Sequence, residues 1–103
     1  MKGFDYNRFF VAAENGENAL LTHMLSEGYN VHANNDLALR CASENGKIET
    51  VKLLLKKGAF INALDSASLR WAAYYGETEV VDFLIKSGAD LHACADSALC
   101  NAI

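Results

Sequence analysis

Residues 38–63 read ALRCASENGKIETVKLLLKKGAFINA, and residues 68–93 read SLRWAAYYGETEVVDFLIKSGADLHA. Laid over one another they align Leu39 with Leu69, Ala42 with Ala72, Gly46 with Gly76, Gly58 with Gly88 and Ala63 with Ala93, each 30 residues apart. The same step backwards reaches Phe9, Ala12, Gly16, Gly28 and Ala33. A step forwards from Leu69 and Ala72 reaches Leu99 and Ala102. No insertion or deletion breaks the register. Many matches at one fixed period of this length are the signature of stacked structural repeats.

Each unit reads as two short helices. In the second unit a small-residue helix over Ala38–Asn45 stops at Gly46, and another over Glu49–Lys57 stops at Gly58. Glycine is the usual residue just beyond a helix C-terminus. Thr50, Val51, Leu54 and Leu55 form one apolar stripe. Val80, Val81, Leu84 and Ile85 repeat it, as do Leu20, Leu21, Met24 and Leu25. Glu49 and Glu79 open these helices, and Lys56, Lys57 and Lys86 close them, an order that complements the helix dipole. One pair cannot bury its stripe alone, so neighbouring units must stack into a solenoid. Ala42 and Ala72 are small where paired helices approach. A bulkier side chain there is expected to overpack the contact at about 1–3 kcal/mol.

These two segments resemble the ankyrin repeat. Both carry its leucine, its alanine and glycine, its acidic-valine-valine helix and its glycine-alanine ending. The resemblance covers nearly the whole chain: units at about 6–35, 36–65 and 66–95, and a half unit at 96–103. It implies one all-α domain over residues 1–103, a solenoid of helix-turn-helix units. Three departures matter. The family's usual repeat is about 33 residues, and these are 30. The shortfall lies between Ala63 and Leu69, where the family builds a protruding β-turn finger, so short loops are expected instead. Leu37-Ala38-Leu39-Arg40 and Ala67-Ser68-Leu69-Arg70 replace the family's Thr-Pro-Leu-His, so the histidine's hydrogen bonds must be made otherwise. The last unit stops after its first helix. The phrase ALRCASENG at this period is also similar to ankyrin proteins of giant DNA viruses that infect amoebae.

Composition narrows the function. The formal charge is −4 and the pI about 5.2, with acids and bases interspersed. No basic face for nucleic acid is evident. No run of 18 apolar residues could span a membrane, and the N-terminus lacks the apolar core of a signal peptide. Cys41, Cys94 and Cys100 are odd in number and fit no zinc spacing. Free thiols in a reducing, intracellular and cytoplasmic setting are the expectation. His32, Asn62 and His92 share one repeat position, where a polar side chain satisfying the loop backbone suffices. His23 matches Leu53 and Phe83 and is expected near the core edge. With no metal cluster, nucleophile–base pair or phosphate loop, neither enzyme nor cofactor is expected.

The candidate binding residues come from the positions that vary between units. Tyr74 and Tyr75 replace Glu44 and Asn45, and Glu14 and Asn15, just before the glycine. The resemblance places these positions on the family's concave, variable surface, and tyrosine is a favoured interface anchor. In the bland reading one tyrosine lies over Trp71 and the other is solvated. Trp71, matching Cys41 and Val11, is expected to pack between units. Arg40 and Arg70 stand where the family has histidine, aimed at the loop backbone or at a ligand carboxylate. Asn34, Asn35, Asp36, Asp65, Ser66 and Asp96 would rim the same surface, or simply form turns and helix caps. Phe4, Tyr6, Phe9 and Phe10 are expected to cap the end of the core.

The implied function is a protein–protein interaction module with a rigid concave surface, its partner a host protein if the chain is viral. Two alternatives stand beside it: a structural piece of a longer array, and a targeting or regulatory module of an adaptor or enzyme encoded outside this chain. Ala98, Leu99, Ala102 and Ile103 would form an apolar helix face without a second helix over it. Either the natural chain continues past Ile103 or this end stacks on something, a second copy included.

Overall fold

The computed structural model describes residues 4–88, the side chains of Leu64 and Asp65 excepted. Six helices follow one another: α1 (Tyr6–Asn15), α2 (Asn18–Ser26), α3 (Ala33–Glu44), α4 (Ile48–Lys56), α5 (Ala63–Tyr74) and α6 (Thr78–Lys86). They form three pairs, and the pairs stack. Helix α3 lies between α1 and α5 in one layer, and α4 between α2 and α6 in the other. The result is elongated, 47 × 20 × 20 Å.

The core is built from the positions that repeat. Phe9, Leu39 and Leu69 are buried at one position, Leu21, Val51 and Val81 at a second, and Met24, Leu54 and Leu84 at a third. Each of these large side chains contributes about 1.5–3 kcal/mol by leaving water. Ala12, Ala42 and Ala72 are at most 1 % exposed, so the close helix approach read from their size is present. Gly46 and Gly76 follow the first helices at φ 71° and 73°. That left-handed backbone lets Lys47 N–H and Glu77 N–H reach back to the carbonyls of Ala42 and Ala72, both at 2.9 Å, closing the helix end.

The connection between units differs from a plain short loop. Asn34, Asn35 and Asp36 all have left-handed backbone, at φ 55°, 58° and 61°, so regular α3 geometry begins only at Leu37. In the third unit Ser66 takes the same conformation, at φ 59°. Left-handed backbone is costly for most L-residues, and Asn and Asp tolerate it best. The turn half of the sequence expectation therefore holds. The rim reading fails at two positions, because Asp36 and Ser66 are buried, at 2 % and 0 % exposure.

Asp36 is committed inside the fold. Its Oδ1 lies 2.6 Å from His32 Nδ1, and its Oδ2 accepts Phe60 N–H at 3.1 Å. The Phe60 ring stacks on the same imidazole at 4.0 Å. One unit further, Ser66 Oγ donates to Asn62 Oδ1 at 2.6 Å. His32 and Asn62 thus each meet a neighbouring side chain, because the left-handed turn folds residue 36 or 66 back over them. In the first unit the Tyr6 hydroxyl does what Asp36 does in the second: it accepts Asn30 N–H at 2.8 Å.

The first unit differs from its successors on its outer side. Arg8 is exposed where Ala38 and Ser68 are buried. His23 is 66 % exposed beside Glu27, at 3.4 Å. This corrects its expected place near the core edge: no described helix covers that position in the first unit, whereas Leu53 and Phe83 are half-buried. Of the four aromatics expected to cap the core, Phe9 is fully buried. Tyr6 and Phe10 pack around it, with Tyr29 stacked at 5.4 Å. Phe4 leans on Tyr29 at 4.6 Å and stays 50 % exposed. The readings made on Ala89, Asp90, His92, Ala93, Cys94, Asp96, Leu99, Cys100 and the apolar face of the half unit at 96–103 lie outside the described residues.

Candidate functional site

Helices α1, α3 and α5 end side by side, and their last residues form one surface. In the first unit it carries Glu14 and Asn15, both exposed, with Val11 46 % exposed a turn earlier. In the second it carries Glu44 and Asn45. Glu44 is half-buried and faces Arg40 at 3.6 Å along the helix, and Asn45 Nδ2 donates to the Cys41 carbonyl at 2.8 Å. In the third it carries Tyr74 and Tyr75, which are 53 % and 55 % exposed.

Those two tyrosines and Trp71 form a continuous aromatic cluster. Trp71 meets Tyr74 edge-on at 5.4 Å and Tyr75 nearly parallel at 6.0 Å. Tyr74 and Tyr75 meet edge-on at 5.0 Å. Such pairs fall within the favoured centroid range and hold each other's orientation. The bland reading fails in its detail, because both tyrosines pack against Trp71 and both keep about half their surface in water. Trp71 is half-buried and meets both tyrosines.

The surroundings are polar and mostly acidic. Glu77 follows the cluster, and its carboxylate lies against Gly46 of the preceding unit, where a Cβ would collide with it. In the unit before, the Lys47 side chain takes that place beside Gly16. The thiol of Cys41, buried between these rows, is pushed up to about 11. Burial is the main cause, Glu44 and Glu14 add to it, and Arg40 opposes it. The thiolate is therefore scarce near neutral pH, and Cys41 is a packing residue rather than a nucleophile.

The residues proposed from sequence thus separate into groups. Tyr74, Tyr75, Glu44 and Asn45 share this surface. Arg40 and Arg70 stand one turn earlier on the same helix faces, both half-buried. Arg40 turns to Glu44, not to the loop. Ser66 is withdrawn: it is buried, with its hydroxyl on Asn62. Nothing is described for the Asp65 side chain. Glu77 and the exposed Val11 were not singled out from sequence. The change from Lys47 to Glu77 between units is the signal that could have marked Glu77. Among the described residues no group of three His, Cys, Asp or Glu could hold a metal ion, and no helix is long and apolar enough to cross a membrane.

A search of curated proteins returned no match. A family model described as ankyrin repeats, in 3 copies, matches residues 9–94. That span takes in nearly all of the six helices, and its three copies correspond to the three stacked pairs. With stacked helix pairs, left-handed glycine stops and a buried leucine–alanine framework repeating at one period, the chain belongs to the ankyrin-repeat family.

Proposed function

We propose that this chain binds a protein partner through the surface at the ends of α1, α3 and α5, with Trp71, Tyr74 and Tyr75 as its anchor. Ankyrin repeats are generally protein–protein interaction modules and typically non-catalytic. The observation that carries the finer reading is the aromatic cluster. Three rings in mutual contact present two half-exposed tyrosines on a rigid helix layer. Tyrosine and tryptophan supply large contact area with few rotatable bonds, so little ordering is lost on docking. The partner proposed is an intracellular protein, a host protein if the chain is viral.

The test is an affinity pull-down from host-cell lysate, comparing the native chain with a Tyr74→Ala, Tyr75→Ala double variant whose helicity is verified by circular dichroism. A partner held by the native chain and lost by the folded variant is the expected result. Loss of an interface anchor typically removes at least about 2 kcal/mol of binding, or roughly 30-fold in affinity. Equal recovery from both would refute the assignment of the surface.

A further inference from the structure

The aromatic cluster does not stand in neutral surroundings. Glu14 lies in the last turn of α1 and Glu44 closes α3, while Glu17 and Glu77 stand in the turns that follow α1 and α5. Glu77, two residues after Tyr75, reaches back across the unit boundary, and its carboxylate lies against Gly46 at the second unit's helix end. The cations nearby are partly committed. Arg40 faces Glu44 at 3.6 Å, Lys47 lies along Gly16 in the first unit, and Arg70 sits a turn back on α5. The exposed faces of Tyr74 and Tyr75 are themselves electron-rich and attract cations.

We infer that the partner docked here presents a basic segment, with an arginine or lysine side chain laid over the tyrosine faces and its charge met by Glu77. This rests on the binding surface proposed above and adds the chemistry of its partner. Arginine fits best, because its planar guanidinium stacks on an aromatic face while its N–H groups reach a carboxylate beside it. Acidic segments are disfavoured by the same field.

Trp71 is the chain's single tryptophan, so its fluorescence reads the site directly. The probes are three acetylated, amidated peptides of alternating glycine with arginine, glutamine or glutamate. The expected result is a saturable change with the arginine peptide, about tenfold weaker with glutamine and absent with glutamate. Raising the salt from about 0.05 to 0.5 M should weaken it. Glu77→Gln should weaken it roughly threefold, and Tyr74→Phe, Tyr75→Phe should leave it intact, because the rings remain. Equal binding of the glutamine or glutamate peptide overturns the inference. A random peptide library selected on the native chain separates the two readings. Neutral or acidic sequences that lose binding in the Tyr74→Ala, Tyr75→Ala variant overturn the basic partner and leave the surface standing. Sequences indifferent to that variant, or no enrichment at all, overturn both.

Discussion

Replacing Asp36 by alanine tests the unit boundary where one buried carboxylate serves two partners. The side chain is 2 % exposed, with His32 at 2.6 Å and Phe60 N–H at 3.1 Å. Hydrogen bonds to a charged group contribute about 1.5–3 kcal/mol each. His32 is 35 % exposed and can turn to water, so its share falls to the low end. Phe60 N–H loses its acceptor at a part-buried site, about 1–2 kcal/mol. Alanine also tolerates φ 61° less well than aspartate, adding about 1 kcal/mol. The expected loss for Asp36→Ala is about 3.5–4.5 kcal/mol. Asp36→Asn keeps an acceptor oxygen and the left-handed tolerance, and should lose only about 1–2 kcal/mol. Asp36→Gly relieves the backbone strain and should fall between them. Urea unfolding followed by circular dichroism and by Trp71 fluorescence measures all three. Coincident transitions would show that the units unfold together. A loss below about 1 kcal/mol for Asp36→Ala would refute the argument, as would an asparagine variant no better than the alanine one.

Three further outcomes follow from the packing. Ala42→Leu should destabilise the chain by about 1–3 kcal/mol, since Ala42 is fully buried between α3 and its neighbours; a urea midpoint equal to the native one would contradict the close approach. Gly46→Ala and Gly76→Ala should cost about the same, roughly 1–2 kcal/mol, because the only obstacle at Gly46 is the movable end of Glu77 and Gly76 faces open space; a much larger loss at Gly46 would mean that Glu77 is held rigidly. For Cys41 the ordinary thiol value of 9.0 rises to about 11 on folding. Between those values the unfolded chain binds fewer protons than the native one, so stability is unaffected below pH 9 and falls as pH climbs towards 11, by roughly 2 kcal/mol in all. Native chain and Cys41→Ala compared across that range by urea unfolding should diverge in slope, and parallel curves would rule the thiol out.

Much of the site was legible before any coordinates. Tyr74 and Tyr75 stood out because they break a polar pattern at a defined repeat position, and repeat register alone placed them beside Glu44 and Asn45. Their joint contact with Trp71 was not legible. Ring orientation depends on side-chain torsions that spacing does not report. Ser66 and Asp36 were misplaced for a related reason. Polar residues in a short connection look like surface, and only the left-handed backbone at residues 34–36 and at Ser66 turns them inward. His23 shows the opposite error. Its register with Leu53 and Phe83 implied shelter, but shelter comes from the neighbouring unit and not from the residue's own helix.

The sequence by itself determined the repeat, the helix pairs, the glycine stops and the leucine–alanine core, because these follow from local backbone preference and a period that any stacked chain must respect. Tertiary structure alone decided which polar groups are buried, where Glu77 reaches across a unit boundary and how three aromatic rings share one surface. The first two depend on atoms 24 or more residues apart meeting in space, as Phe60 N–H meets Asp36, and the third on the side-chain torsions of residues 71–75; spacing along the chain records neither.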